Sequence, residues 1–459
     1  MNVIKTIFGN SGSRVWFIVT VTVIALLLTV SLLMTITFGD VFASLLGGRR
    51  VVYSDEYSPM YTSDYESKEA TLEAANAFNE RICEEGFVLL KNDGDALPLR
   101  TPVSETAPAS DEPRISVFGK NSVNYAYGGS GSGSGDGQGA TDLYSALISA
   151  GYDVNPVLRE FYESSASGGV RPASPEGSNL DDGKTISVPT YETPYSLYPD
   201  TVRDSYASYS DAALIVITRM GGEGFDLPRT MAGVEGSHGD DSHYLQLDAI
   251  ESDLVNAVIS AGFDRVVLIL NVGTTFELGF LEEDTAAAYN ELKNYDIDAS
   301  GIDACIWTGF PGNSGLAALG RILNGNVNPS GRTTDTYATD FTADPSWNNF
   351  GDNLVENGDS LLDGGSETGY YFVDYEENIY VGYRYYETRG ADDQEWYEGN
   401  VVYPFGYGLS YTRFRWEMLD DSSVRDAEIV RGGRYSVTVR VWNDGDIAGK
   451  DVVQLYGHA

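Results

Sequence analysis

The chain has 459 residues, of which 42% are hydrophobic and 21% are charged, an ordinary globular composition that excludes disorder throughout. This length suits roughly two or three domains. The 29 Lys and Arg residues against 68 Asp and Glu residues give a formal net charge of −39. Because so acidic a surface repels phosphate groups, we expect no nucleic-acid partner, and any membrane attachment must be hydrophobic.

The first predicted element is a transmembrane helix over residues 15–38, a stretch without any charged side chain. At about 1.5 Å per residue this helix is roughly 36 Å long, enough to cross a hydrocarbon core of about 30 Å. A secretory signal has a shorter apolar region, of about 7–15 residues. Because residues 41–43 (Val-Phe-Ala) imitate a cleavage site, a cleaved signal stays open as the alternative.

The orientation of this span depends on the basic residues that flank it. Lys5 and Arg14 precede the span, and Arg49 and Arg50 follow it. Since basic residues concentrate on the cytoplasmic side, this balance favours a cytoplasmic N-terminus only slightly. We therefore expect a single-pass protein of the cell membrane whose large C-terminal part is extracytoplasmic.

After a tether that ends at residue 65, short apolar runs alternate with helical patterns. The apolar runs begin at Phe87, Ile115, Ala213, Val266 and Ala304. The helical patterns occupy residues 66–85, 141–151, 245–262 and 315–325. Continuous apolar runs are typical of strands buried on both faces. Their alternation with helices predicts an α/β fold, a mostly parallel sheet with helices on both faces and ligands at the carboxyl ends of its strands.

The periodicity changes near the end of the sequence, where residues 435–442 alternate between apolar and polar side chains. A turn at residues 443–446 and a second strand over residues 451–456 predict a β-hairpin. A β-sandwich needs about seven strands, so we expect the incomplete start of one, from a truncated reading frame. The predicted domains are a membrane anchor (1–40), a tether (41–65), an α/β domain (66–428) and the start of a β-sandwich (429–459).

The cysteines and histidines do not predict a metal site. Cys83 and Cys305 lie in apolar stretches without a CxxC motif, so we expect two buried thiols rather than zinc ligands. His238 and His243 flank two aspartates at residues 240–241, but they share no helical face and no HExxH motif is present. We therefore expect neither a metal nor a cofactor.

A Gly/Ser-rich segment occupies residues 128–139. It is not a Walker loop, because no Gly-Lys-Ser/Thr follows. Residues 135–140 match the dinucleotide-binding pattern, but that pattern starts directly after a strand, whereas residues 120–127 intervene here. A nucleotide site and a flexible linker stay open beside the favoured interpretation, a substrate-side loop whose backbone amides approach a ligand closely.

The sharpest local signal is a single carboxylate, Glu223, framed by glycines at the end of a buried strand. Arg219, Asp226 and Arg229 place further charges close by. Taken alone, this pattern favours an exposed loop glutamate over a catalytic one. The absence of a Gly-x-Ser-x-Gly motif excludes the usual α/β-hydrolase.

A series of motifs stands in order between residues 66 and 414. They are Glu85-Gly-Phe-Val-Leu-Leu, Tyr127-Gly-Gly-Ser-Gly, Arg219-Met-Gly-Gly-Glu-Gly, Leu270-Asn-Val-Gly, Gly309-Phe-Pro-Gly-Asn-Ser-Gly, Asn326-Val-Asn-Pro-Ser-Gly-Arg, Ile379-Tyr-Val-Gly-Tyr-Arg and Tyr403-Pro-Phe-Gly-Tyr-Gly. In this order they resemble the C-terminal α/β sandwich of glycoside hydrolase family 3. The terminal hairpin resembles the start of the fibronectin type III-like domain that follows in that family.

The resemblance implies a retaining hydrolase of the β-glucosidase type, acting on a β-glucoside or oligosaccharide. In this family an aspartate nucleophile on a (β/α)8 barrel works with an acid/base glutamate from the sandwich. The matching acid/base is Glu223, whose pKa should be raised for that work. The implied sugar-binding residues are Gly128, Gly129, Ser130, Gly131, Arg219, Asp226 and Arg229.

One departure from the family pattern limits this inference. No stretch of about 250 residues remains for a barrel, so the sequence lacks the nucleophile. The order of span, sandwich and fibronectin-like domain resembles the permuted branch of the family, in which the barrel comes last. We therefore expect the acid/base half of a hydrolase, inactive until a separately encoded barrel is supplied. A membrane-tethered carbohydrate-binding protein without catalysis is the alternative.

Overall fold

The computed structural model describes residues 11–45, 63–99, 112–135, 137, 139–172, 189–223, 227–239, 242–349, 353, 372–419, 431–434 and 436–456. The chain divides into two compact units, Met1–Glu66 and Ser67–Ala459.

The first unit contains the helix α1 (Ser11–Leu45). Its segment Ser11–Gly39 has a mean hydropathy of 2.7, and none of its apolar window is buried. Thr29 and Thr35 donate their hydroxyls to the carbonyl oxygens of Ala25 and Ser31, 2.8 Å away in each case. These bonds satisfy two polar side chains without water. By length and composition α1 can cross a membrane, although a signal sequence meets the same criterion.

The second unit is built on a six-stranded sheet of order β1-β6-β5-β4-β2-β3. Its strands are β1 (Val88–Asn92), β2 (Arg114–Phe118), β3 (Asp153–Val154), β4 (Ala212–Arg219), β5 (Val266–Val272) and β6 (Ala304–Trp307). All neighbours pair in parallel except β1, which runs antiparallel to β6 at one edge. Every residue of β4 and β5 is buried, because both central strands are covered on both faces. The predicted mostly parallel sheet is confirmed.

Helices cover both faces of this sheet. They are α2 (Lys68–Gly86), α3 (Leu143–Ser149), α4 (Pro156–Glu163), α5 (Asp200–Ser205), α6 (Ala249–Ser260), α7 (Glu283–Lys293) and α8 (Leu316–Leu323). Ile215 and Ile217 of β4 belong to the hydrophobic cluster that includes residues of α4 to α7. Leu214 and Val216, which alternate with them, belong to the cluster of α2, α3 and α8. Because successive side chains of a strand point to opposite faces, β4 contributes to two hydrophobic layers, one on each face of the sheet.

The two cysteines lie in these layers. Cys305 of β6 packs in the first cluster and Cys83 of α2 in the second. Both are buried free thiols, as predicted.

A smaller region follows the sheet. It contains β7 (Tyr337–Ala338), α9 (Pro345–Asn349), α10 (Tyr383–Asp392), α11 (Gln394–Asn400) and β8 (Val401–Tyr403). Strands β7 and β8 pair antiparallel. Ala338, Tyr386 and Val401 form a separate small core with the ring of Trp396 packed against it.

The C-terminal strand pair differs from the predicted hairpin. Strand β9 (Phe414–Met418) pairs antiparallel with β10 (Val439–Asn443), so the partner of β10 is the segment before it and not residues 451–456. Those residues form no strand. Asp451 holds them instead, because its carboxylate accepts hydrogen bonds of 2.7 Å from Arg332 Nη2 and from Trp416 Nε1.

Candidate active site

An open cleft of about 660 Å³ lies at the carboxyl ends of the central strands. The residues that follow β4, β5 and β6 all reach it, as expected for ligand sites of open α/β sheets. Its lining includes Gly221, Gly222, Arg229, Gly273, Phe310, Phe341 and Trp347.

Two segments that are far apart in the sequence meet beside this cleft. The Ser130 N–H donates to the carbonyl oxygen of Gly221 at 3.2 Å, and Ser130 pairs with Gly222 in an isolated parallel bridge. The Ser130 hydroxyl donates to the backbone carbonyl of Glu223 at 3.0 Å, across 93 residues of sequence. The Gly/Ser-rich loop (residues 128–134) therefore packs on the turn that carries Glu223.

This close approach requires glycine at two positions. Gly131 has φ +67°, and a Cβ there would lie 2.5 Å from Cβ of Glu223. Gly222 has φ +154°, and a Cβ there would lie 2.5 Å from the Ser130 nitrogen. A side chain at either position would force the two segments apart.

The Glu223 carboxylate is exposed beside the loop. Its Oε2 accepts a hydrogen bond of 2.6 Å from the Ser132 N–H. Hydrogen bonds from Ser132 lower the pKa of Glu223 below its ordinary value, because they stabilise the charged form. The raised pKa is predicted for a pocket closed by a second domain; among the described residues the carboxylate is exposed, so hydrogen bonding sets the direction of the shift.

Arg219, a predicted sugar-binding residue, is among the residues that line the cleft. It is 1% exposed, and all five of its N–H groups have acceptors. Two bonds, of 2.7 and 2.6 Å, reach the Glu251 carboxylate, and the others reach the carbonyls of Thr218, Tyr244 and Gln246. The N–H groups of this guanidinium therefore hold the end of β4 against its neighbours.

The other predicted sugar-binding residues are Arg229, Gly128, Gly129 and Asp226. The guanidinium of Arg229 stacks over the Trp347 ring at 5.2 Å, at the cleft. Gly128 and Gly129 are half-buried at the base of the loop. Asp226 lies outside the described residues.

Sequence reasoning assigned no role to Asn271, although it stands in one of the quoted motifs. Its side chain is fully buried at the end of β5. Its Oδ1 accepts from the Ala126 N–H at 2.8 Å, and its Nδ2 donates to the carbonyls of Ala126 and Gly309 at 2.9 and 2.7 Å. Asn271 thus anchors the segment that leads into the Gly/Ser-rich loop. The signal was a polar side chain within an apolar strand, since buried amides need partners.

The histidines take separate partners. His243 Nε2 lies 2.9 Å from Glu277 Oε1, and His238 Nε2 lies 3.1 Å from the Ser252 hydroxyl. Within the described part of the chain no three His, Cys, Asp or Glu side chains form a group that could hold a metal ion. The aspartates at 240–241 lie outside it.

Comparisons with known proteins identify the family of this fold. The profile of the glycosyl hydrolase family 3 C-terminal domain matches residues 87–411. Beta-glucosidase A of Butyrivibrio fibrisolvens is 32% identical over 407 residues, which cover 82% of this chain and 40% of that protein. A beta-glucosidase of Ruminococcus albus is 30% identical over 395 residues, 83% of this chain and 32% of the relative. The chain thus spans less than half the length of these curated relatives.

Solved structures agree with the sequence relatives. A beta-glucosidase from Paenibacillus barengoltzii aligns with a TM-score of 0.52 at 27% identity, over 75% of this chain and 30% of that one. Beta-glucosidase 3B from Thermotoga neapolitana, in complex with α-D-glucose, gives a TM-score of 0.52 at 25% identity, over 77% of this chain and 40% of that one. With most of its α/β unit matched by the family profile, this chain belongs to glycosyl hydrolase family 3 and carries the C-terminal domain of that family.

Proposed function

We propose that this chain contributes the acid/base half of a retaining β-glucosidase, with Glu223 as the acid/base. The observation that supports this best is the packing of the Gly/Ser-rich loop on the Glu223 turn. It leaves an exposed carboxylate beside an open cleft at the carboxyl ends of parallel strands, where a glycosidic oxygen can approach it. The β-glucoside class of substrate is inferred from relatives named beta-glucosidases.

The reaction needs a second carboxylate, from a barrel that is not part of these 459 residues. That aspartate attacks the anomeric carbon while Glu223 protonates the leaving oxygen. Glu223 then removes a proton from the water that releases the sugar. The lowered pKa seen here suits this second role. For the first role, a charged nucleophile about 5–5.5 Å away and a covering domain would both raise the pKa of Glu223.

On the sugar side we assign the backbone of Gly128, Gly129 and Gly131 to the substrate surface, with Arg229 at the cleft. Asp226 stays a predicted contact, and Arg219 becomes a supporting residue. We further propose that α1 anchors the protein in the cell membrane as a single span, with the α/β unit outside. A fibronectin type III-like domain would begin at the strand pair of β9 and β10.

The test is reconstitution. The full chain in detergent is mixed with a family 3 barrel that bears the nucleophile, and hydrolysis of an aryl β-glucoside is measured. We expect no turnover from the chain alone and turnover from the pair. Glu223→Gln should lower the activity of the pair about 10²- to 10⁴-fold, the usual contribution of general acid–base catalysis.

The matched control is Glu160→Gln, which removes an exposed carboxylate on α4 and should leave activity unchanged. Full activity in the Glu223→Gln pair would refute the acid/base assignment. A pair that binds the glucoside without hydrolysing it would instead identify the chain as a membrane-tethered carbohydrate-binding protein.

A further inference from the structure

Ser130 was expected to touch the sugar, but its side chain points elsewhere. It is 4% exposed, and its hydroxyl is bonded to the Glu223 carbonyl. A buried hydroxyl whose hydrogen is already donated to backbone offers little to a ligand. Its contacts join the two segments that form the site.

We propose that Ser130 is a positioning residue for Glu223: it fixes the acid/base turn against the Gly/Ser-rich loop and does not contact substrate. The effect of Ser130 on proton transfer rests on the proposed function, whereas its attachment of the two segments does not.

Two contacts attach Glu223 to a single loop. Ser130 holds its backbone carbonyl, and the Ser132 N–H holds its carboxylate. Both donors belong to one loop, so the loop fixes the main chain and the carboxylate of Glu223 together. The bridge between Ser130 and Gly222 completes this attachment. A misplacement of about 1 Å in a catalytic group can cost about 10²-fold in rate, so loosening the turn should impair proton transfer.

A leaving-group comparison separates positioning from sugar binding. A phenyl glucoside needs protonation of its leaving oxygen, whereas a 2,4-dinitrophenyl glucoside departs without it. In the reconstituted pair, Ser130→Ala should lower kcat/KM for the phenyl glucoside about 10- to 100-fold and leave that for the dinitrophenyl glucoside nearly unchanged. An equal loss on both substrates, with a raised KM, would show a sugar contact and overturn the proposal.

A second measurement uses the full chain alone and does not depend on hydrolysis. Hydrogen–deuterium exchange of peptides that cover residues 128–134 and 220–223 should speed up in Ser130→Ala by about fivefold, since a lost hydrogen bond of about 1 kcal/mol corresponds to roughly that factor. The matched control is Ser134→Ala in the same loop, whose side chain is exposed. Unchanged exchange in Ser130→Ala would overturn the proposal even if the pair is active. Faster exchange with an inactive wild-type pair would uphold the attachment and reject the proposed function.

An independent variant protects the test against a folding defect in Ser130→Ala. Gly222→Ala places a Cβ about 2.5 Å from the Ser130 nitrogen, so it should separate the same segments without removing the hydroxyl. We expect the same exchange pattern and the same leaving-group signature. Wild-type behaviour of Gly222→Ala on both measurements would contradict the proposal.

Discussion

Glu223 and Glu192 are two glutamates whose surroundings shift their pKa values in opposite directions. Glu223 is exposed, and hydrogen bonds from Ser132 lower its pKa. Glu192 is 7% exposed, and burial raises its pKa to about 8 although it accepts hydrogen bonds from the N–H groups of Thr193 and Lys120. Desolvation therefore outweighs hydrogen bonding at Glu192. The nearby carboxylates of Glu251 and Asp248 act in the same direction as burial.

The raised pKa of Glu192 predicts how the free energy of unfolding depends on pH. Between pH 4.5, its ordinary pKa, and about 8, Glu192 keeps in the folded chain a proton that the unfolded chain has lost. The free energy of unfolding should therefore fall as pH rises through that window. Glu192→Gln should flatten the fall, measured by urea denaturation at pH 5, 7 and 8.5. Asp248, whose pKa burial raises to about 7, should leave a residual slope.

Glu160→Gln serves as the control for this titration, because that carboxylate is exposed. It should reproduce the wild-type slope. If Glu192→Gln also keeps the full slope, the proton is held elsewhere.

At the scale of elements, one buried ion pair joins β4 to α6. Arg219 ends the strand, and Glu251 lies in the first turn of the helix. Glu251 also takes part in a capping box with Asp248, which satisfies free N–H groups at the helix start. The Glu251 carboxylate thus binds Arg219 at the end of β4, and it also caps the start of α6.

Removing one partner of this pair should be costly. Glu251→Gln leaves a buried guanidinium without its counter-charge, so we expect a loss of about 3–5 kcal/mol in the free energy of unfolding. The double variant Arg219→Met with Glu251→Gln should lose much less than the sum of the two single variants, because no unpaired charge remains. Urea denaturation of the four proteins gives the coupling energy. Additive losses would show that the two side chains do not interact.

Elements were easier to predict from sequence than their partners. The apolar runs of β4 and β5 predicted buried strands correctly, because a strand that is buried on both faces has a continuous run of apolar residues. Alternation over residues 435–442 predicted a strand but not its pairing, since period 2 specifies a face and not a neighbour. The family resemblance made Arg219 and Ser130 sugar-binding candidates. Their acceptors, the Glu251 carboxylate and the Glu223 carbonyl, could not be predicted because they are distant in the sequence. Ser132 carried no signal, since its contact with Glu223 uses the backbone N–H.

At the scale of the whole molecule, a formal net charge of −39 coexists with one long apolar helix among the residues that the structure describes. An acidic surface gains nothing from anionic lipids. In the proposed membrane anchor, the burial of the apolar side chains of α1 in lipid would therefore supply the free energy of attachment.

A charge in the middle of α1 should weaken this attachment. Leu27 is 62% exposed on the helix surface, and Leu27→Arg costs about 2.5–3.5 kcal/mol at the centre of a span by insertion scales. We expect a larger share of this variant than of the wild type in the soluble fraction after carbonate extraction, while Leu27→Ile matches the wild type. An unchanged distribution of Leu27→Arg would contradict a single-span anchor. An intact mass that lacks the first 40 or so residues would identify a cleaved signal instead.

The two buried cysteines determine how this protein can be labelled. Burial raises the pKa of Cys83 to about 11, with help from Glu80 and Glu84, and it raises the pKa of Cys305 further. Since only the thiolate reacts readily, a thiol reagent such as DTNB should modify neither cysteine in the native protein at pH 7.5 and both in urea. A single cysteine introduced at the exposed Ser134 would then be the one reactive thiol of the folded chain. It could carry a fluorophore on the loop that contacts Glu223 and report the arrival of a barrel without replacement of either native cysteine.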